Sequence, residues 1–206
     1  LNTTQPEAVE VLRAEGVVVI GNPTKDRAEH GRYLGEVIAA RPDLILDALT
    51  LLQTSWPGRF VGVFVGHGPL RSELENRASE SKLQCRFVGF QNQRQLSPYF
   101  HGADVLVLPS DAETWGLVVN EALLHGLPTI VSDAVGCGPD LIATGVTGAV
   151  FETGNAEGLA DRIKEVASFS SDGRVRSACR EKVSRYSVAA AAAGVADAYF
   201  RVTAER

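Results

Sequence analysis

Along the chain, short apolar runs alternate with longer segments whose apolar positions recur at helical spacing, the pattern of repeated βα units over a parallel sheet. Residues 5–15 read as a helix, and Val17-Val18-Val19-Ile20 as a β-branched strand ended by Gly21-Asn22-Pro23. Residues 24–31, polar and charged, read as a linker, and the sheet pattern is expected to restart at Tyr33-Leu34. Helices are predicted over 43–53, 69–81, 96–100 and 116–124, the last with Gly126 as its C-terminal cap, and strands over 60–65, 86–88, 104–108 and 129–131. A last strand at 148–151 and a helix at 157–167 follow. A polar break at 168–173 precedes two more helical stretches. The final one, 187–202, is Ala-rich and carries Val188, Val195, Tyr199 and Val202 as a stripe that must pack on something.

At least five strands alternating with helices predict an α/β fold, a doubly wound parallel sheet of Rossmann type. Such sheets bind ligands beyond the carboxyl ends of their strands, which singles out the loops 66–69, 89–91, 109–116 and 132–140.

Composition narrows the class. With 206 residues, 45% apolar and 22% charged, the chain can bury one sizeable core. A formal charge of -5, 20 Lys plus Arg and no long basic run leave no electrostatic footprint for nucleic acid. Cys85, Cys137 and Cys179 are odd in number and lack metal-ligand spacing, so reduced thiols, no disulfide and no metal are expected. No stretch approaches the roughly 20 apolar residues of a membrane span, and the first residues lack a signal-peptide pattern. The chain has no Met and begins at Leu1, so it is expected not to start at a natural initiation site.

The densest chemical signal is Pro109-Ser110-Asp111-Ala112-Glu113-Thr114-Trp115-Gly116-Leu117-Val118-Val119-Asn120-Glu121, where an apolar strand runs into a turn and then a helix. If Glu113 stands just before the helix and Glu121 two turns into it, the helical rise separates their backbones by about 12 Å. Two carboxylates acting on one glycosidic bond work at roughly 5 to 9.5 Å, so a hydrolase pair is disfavoured. A ligand meeting both would be about as long as a nucleotide-sugar. Between them lie the expected free N–H groups of Trp115, Gly116 and Leu117 at a helix start, whose positive dipole end suits a diphosphate. The alternative readings are structural: Glu113 as an acidic residue stabilising the helix dipole, Glu121 on a solvated helix face, and Trp115 as aromatic packing at a helix start.

This run, together with Ala122-Leu123-Leu124-His125-Gly126-Leu127-Pro128-Thr129-Ile130-Val131-Ser132-Asp133 behind it, resembles the signature of the retaining glycosyltransferases of family four, glycosyl transferases group 1, which have the GT-B fold. Supporting matches are Gly66-His67-Gly68-Pro69-Leu70, Phe87-Val88-Gly89-Phe90 and Val135-Gly136-Cys137-Gly138-Pro139-Asp140-Leu141-Ile142. The resemblance spans about residues 33 to 163. It implies that this is the C-terminal, donor-binding half of the molecule, a nucleoside-diphosphate sugar being the donor and a saccharide or lipid-linked saccharide the acceptor. Glu113 would contact the donor hexose as the catalytic carboxylate, Glu121 the ribose, and Gly116, Leu117 and Val118 the diphosphate through their backbone, with Trp115 shaping the sugar pocket. Val88, Gly89 and Phe90 would line the base pocket, and Gly136 and Gly138 would let the backbone pass close to the donor. No metal and no cofactor are implied.

The resemblance further implies three parts. Residues 1–20 would be the last helix and strand of a missing N-terminal acceptor domain, 21–186 the nucleotide-sugar-binding domain, and 187–206 a terminal helix crossing back to the missing domain, leaving its stripe partly exposed here. A cytoplasmic setting, with attachment at the inner membrane through the missing domain, and polysaccharide or glycolipid synthesis are the expected context.

One departure stands out. The family usually places an Arg or Lys right after the Gly of the first strand and a Lys in the following loop, both on the donor phosphates; here Glu36 has the wrong sign, and Arg41 is the candidate for the second cation, with Arg32, Lys25 and Arg27 nearby in sequence. His67 stands where the family often has Asp. Two competing readings remain: a non-catalytic nucleotide-sugar-binding module, favoured by Glu36, and another GT-B enzyme such as a sugar-nucleotide epimerase. A dinucleotide oxidoreductase is disfavoured because no Gly-x-Gly-x-x-Gly follows any strand.

Overall fold

Four consecutive apolar residues, Val105–Leu108, are all buried, which requires cover on both faces of the strand that they form. In the computed structural model, which describes residues 17–21 and 41–204, this strand lies inside a six-stranded, all-parallel sheet. The strands are β1 (Val17–Gly21), β2 (Phe60–Val65), β3 (Cys85–Gly89), β4 (Val105–Leu108), β5 (Thr129–Ser132) and β6 (Gly148–Phe151). Their order is β3-β2-β1-β4-β5-β6, so the chain first walks outward from β1 to β3 and then returns to place β4 beside β1. That reversal leaves a crevice at the carboxyl ends of β1 and β4, the usual ligand position in doubly wound sheets.

Helices cover both faces. On one, α1 (Pro42–Ser55), α2 (Arg71–Glu80) and α6 (Ala156–Ala167) pack through Ile45, Leu49, Leu74, Leu159 and Ile163 onto Phe60, Phe64, Val105, Val107 and Ile130. On the other, α3 (Gln93–Gly102) and α4 (Leu117–Leu124) set Phe100 and Ala122 against Val61, Val63, Val65 and Leu106. Further along that face the short helix α5 (Gly138–Leu141) and α7 (Gly173–Ser184) join α4 around Leu108, Val131 and Val135.

The sheet corrects one domain boundary. Val17–Gly21 pairs in register with Phe60–Phe64 on one side and, over Val19–Gly21, with Val105–Val107 on the other. It is therefore a central strand of this domain and not a remnant of a preceding one, and a boundary at residue 20 would cut it. The β-branched run does form a strand. The expected helix at 5–15, the linker at 24–31 and the restart at Tyr33-Leu34 lie outside the described residues.

Other differences are at element ends. α3 starts earlier than expected because Asn92 accepts from the amides of Arg94 and Gln95 while the Gln95 side chain accepts from the Asn92 amide, a capping box. The helix α5, where Pro139 sits in the first turn, has no counterpart in the predicted elements. Past α4, Gly126 takes a φ of 76°, as the expected C-terminal cap requires.

The last helix, α8 (Val188–Ala204), buries no residue at all. Val188 is 89% exposed and Tyr199 64%, with Val195, Phe200 and Val202 similarly open, so the expected apolar stripe lies bare.

Candidate functional site

The site is built from the loops after β4 and β5, which are zipped together. Glu113 and Val135 form a parallel bridge; the Glu113 amide donates to the Ala134 carbonyl at 3.2 Å, and the Gly136 amide donates to the Glu113 carbonyl at 2.8 Å. The approach is so close that a Cβ on Gly136 would stand 2.0 Å from the Thr114 carbonyl oxygen. Gly136 is thus required by its neighbouring loop, a different reason from the close passage of a ligand. Gly138 has no such constraint, since a Cβ there would meet only Val131 at 3.5 Å.

From this zip the chain turns through Gly116, whose φ of 92° lies in the left-handed region and whose open face is crowded by Leu108 and Val135. α4 begins at the next residue. The Val119 amide is satisfied by the Gly116 carbonyl, but among the described residues nothing accepts from the amides of Leu117 or Val118. These two donors stand in the first turn of α4, in the stretch that follows β4, at the positive end of the helix dipole, and suit an anion.

Glu113 precedes these amides, and Glu121 follows them at the fifth position of α4. Both are half-buried, and neither carboxylate has a hydrogen-bond or ion-pair partner among the described residues. Two uncompensated carboxylates flanking two free amides form an arrangement that can accept hydroxyl hydrogens at both ends and an anion between them.

Trp115 is held as scaffold. Its Nε1 donates to Asn120 Oδ1 at 2.9 Å, its carbonyl accepts from the Cys137 amide, and its ring lies 5.9 Å from that of Tyr186. Cys137 itself is fully buried, and burial pushes its thiol up to about 12, so it is a neutral packing residue beside Glu113.

At the end of β3, three carbonyls already accept one bond each: Phe87 from the Arg71 guanidinium, Val88 from the Gln91 side-chain amide, and Gly89 from the Gly66 amide. Gly89 has a φ of 75°, and the Phe90 ring beyond it is 76% exposed. Val88, Gly89 and Phe90 thus stand at the carboxyl edge of β3, three places from β4 in the sheet order.

Arg41 immediately precedes α1 in a left-handed conformation, with φ 42° and ψ 50°. Its guanidinium grips Asp43 at 2.9 Å and reaches Asp111 at 3.3 Å, and these carboxylates, Asp43 first, raise its pKa above the ordinary arginine range. The residue is therefore beside the 109–116 loop, as a phosphate cation would be, but its charge is balanced by two acids. Sequence reasoning misses both of these partners, the Asn120 anchor and Tyr186; only Asp43, two residues from Arg41, has a local signal. His67 is exposed in the loop after β2. No cluster of three or more His, Cys, Asp or Glu side chains arranged to hold a metal occurs among the described residues.

The doubly wound parallel sheet has the fold of the C-terminal domain of GT-B glycosyltransferases. Residues 36–184 match the family described as glycosyl transferases group 1, and the chain belongs to that family. It is 34% identical over 130 residues to the sulfoquinovosyl transferase SQD2 of Arabidopsis thaliana, covering 60% of this chain and 24% of that protein. It is 31% identical over 175 residues to the D-inositol 3-phosphate glycosyltransferase of Mycolicibacterium smegmatis, covering 81% of this chain and 37% of the relative. The solved structure of Anabaena Alr3699/HepE in complex with UDP and glucose superimposes with a TM-score of 0.67 at 21% identity, over 88% of this chain and 48% of that one, a likeness of fold. The chain thus spans about a quarter to two-fifths of the length of these curated relatives. Among the described residues no helix is long and apolar enough to cross a membrane.

Proposed function

We propose that this chain is the donor-binding domain of a retaining glycosyltransferase that moves a hexose from a nucleoside-diphosphate sugar to a hydroxyl acceptor, in polysaccharide or glycolipid synthesis. The observation that carries the reading is the pair of unpartnered carboxylates, Glu113 and Glu121, on either side of the free Leu117 and Val118 amides. In this reading Glu113 takes the sugar hydroxyls and Glu121 the ribose hydroxyls, while the amides and the helix dipole hold the diphosphate and stabilise the charge that develops on it as the leaving group. No metal is needed for that step. Gly116 allows the turn that presents the amides, Trp115 fixes its direction, and Val88, Gly89 and Phe90 offer an edge and an exposed ring to the base. The UDP and glucose held by HepE, a protein of like fold, support a nucleotide and a sugar as the two ends of the ligand.

The bare stripe of α8 supports a second domain as its cover: an acceptor domain, bringing a saccharide or lipid-linked saccharide, would complete the cleft. The whole protein would act in the cytoplasm, held at the inner membrane only through that domain, and this chain alone would bind donor without turnover. A non-catalytic nucleotide-sugar-binding module is the second reading, favoured by the commitment of Arg41 to Asp43 and Asp111.

Calorimetric titration of the chain with UDP, GDP and ADP and their glucose and mannose conjugates, with and without Mg²⁺, tests the site. Metal-independent binding of one nucleotide, abolished by Glu121→Ala, is the expected result; no binding at millimolar ligand, here and in the full-length protein, would sink the reading. Sugar transfer by this chain alone would contradict its assignment as half of a cleft. Glu36→Arg separates the two readings, since a large gain in donor affinity marks a decayed enzyme site.

A further inference from the structure

Tyr186 stands between α7 and α8, two residues past Ser184 and two before Val188. Its hydroxyl donates to Asp140 Oδ1 at 3.0 Å, and its ring meets that of Trp115 at 5.9 Å with a 40° tilt. Asp140 belongs to α5, which continues the loop after β5, and Trp115 belongs to the loop after β4. One side chain therefore touches both of the loops that the Glu113–Val135 bridge zips together. The remaining polar holds on Trp115, the Asn120 side chain and the Cys137 amide, come from α4 and the glycine loop, whereas Tyr186 comes from the separate segment between α7 and α8. Tyr186 is 37% exposed, so burial alone does not account for a large aromatic residue there.

We propose that Tyr186 is a positioning residue for the donor site. Its ring steadies Trp115 and its hydroxyl steadies Asp140, and together they set the direction in which Glu113 and the Leu117 and Val118 amides point. The consequence for binding rests on the donor-site reading given above; the positioning of Trp115 does not. Because Tyr186 stands two residues before α8, displacement of that helix would reach both loops through Tyr186.

The chain has two tryptophans, so Trp56→Phe leaves Trp115 as the sole reporter in an otherwise intact protein. In that background, Tyr186→Ser is expected to red-shift the Trp115 emission, open it to acrylamide quenching and weaken binding of whichever of UDP, GDP or ADP the parent takes by at least about tenfold. Tyr186→Phe keeps the ring and loses the Asp140 bond; it is expected to retain the parent emission and to lose about threefold in affinity. Leu159→Ala, a core change under the opposite sheet face, controls for general destabilisation and should lower the melting temperature without either effect. Unchanged emission in Tyr186→Ser, or an equal change in Leu159→Ala, would overturn the proposal. If the parent binds no nucleotide, the donor-site reading fails while the emission measurement still decides for or against positioning.

Discussion

The guanidinium of Arg41 donates to Asp43 and to Asp111, so the residue ahead of α1 and the loop beyond β4 are joined at the carboxyl edge of the sheet. The joint is made by a non-glycine residue at φ 42°. Arg41→Gly and Arg41→Ala both lose the carboxylate contacts, but only alanine keeps the left-handed strain, so Ala should be the less stable by about 1 kcal/mol. Urea unfolding of the two variants checks this. Equal stabilities would mean that the backbone relaxes once the ion pairs are gone. The same joint bears on the ligand: Asp111→Asn leaves Arg41 one acid fewer to balance, and nucleotide affinity should rise by about threefold or more at low salt. A fall would show that Asp111 serves the site in its own right.

The two glycines of the 136–138 loop should behave oppositely. Gly136→Ala drives a methyl into the Thr114 carbonyl, which must break the zip with Glu113, so a loss of about 3 kcal/mol or more and loss of nucleotide binding are expected. Gly138→Ala meets only ordinary contact and should cost less than about 1 kcal/mol. Thermal melts give the stabilities. A Gly138→Ala protein that is stable yet binds nucleotide poorly would show that the ligand itself approaches this backbone.

Ser110 is fully buried in the loop after β4, and its hydroxyl finds no partner among the described residues, although its carbonyl accepts from the Ser132 hydroxyl. Removing an unsatisfied buried hydroxyl relieves a desolvation cost, so Ser110→Ala should leave stability unchanged or raise it by up to about 1 kcal/mol. A loss of more than that in chemical denaturation would reveal a partner for the hydroxyl.

Burial raises all three thiols from 9.0, Cys85 to about 11 and Cys137 and Cys179 to about 12. Above pH 9 the unfolded chain therefore releases thiol protons that the folded chain retains, so the thiols' contribution is complete below that pH and declines as pH rises toward 12. Urea midpoints measured from about pH 8 to about pH 10.5 should fall, and Cys179→Ala should flatten the decline relative to the parent. An unchanged slope would mean that this thiol is not shielded.

Much of the site is legible in the sequence because it sits on punctuation. Gly116, Gly126 and the glycine loop mark turns, and the apolar strands before them are unambiguous, which places Glu113 and Glu121 on either side of a helix start. What holds that start in place has no linear signature. Glu113 and Val135 are joined only because β4 and β5 are neighbours, and the Tyr186–Asp140 bond spans 46 positions. The family resemblance marks Arg41 as a candidate phosphate cation, whereas the two acids that neutralise it lie two and 70 positions away. The strand β1 reads as part of another domain for a related reason: its partners β2 and β4 begin some forty residues on or later, and only pairing distinguishes a central strand from the tail of a preceding domain.

The place of Val17–Gly21 in the middle of the sheet has a practical result for anyone trimming this protein. A chain begun just after Gly21 would still carry the whole motif-rich stretch, yet it would split the sheet into a β2–β3 pair and a β4–β5–β6 trio, each with a raw apolar edge where β1 had been. Such edges recruit strands from other copies. That truncated protein should aggregate on expression, and its insolubility would say nothing about whether the motif binds a ligand.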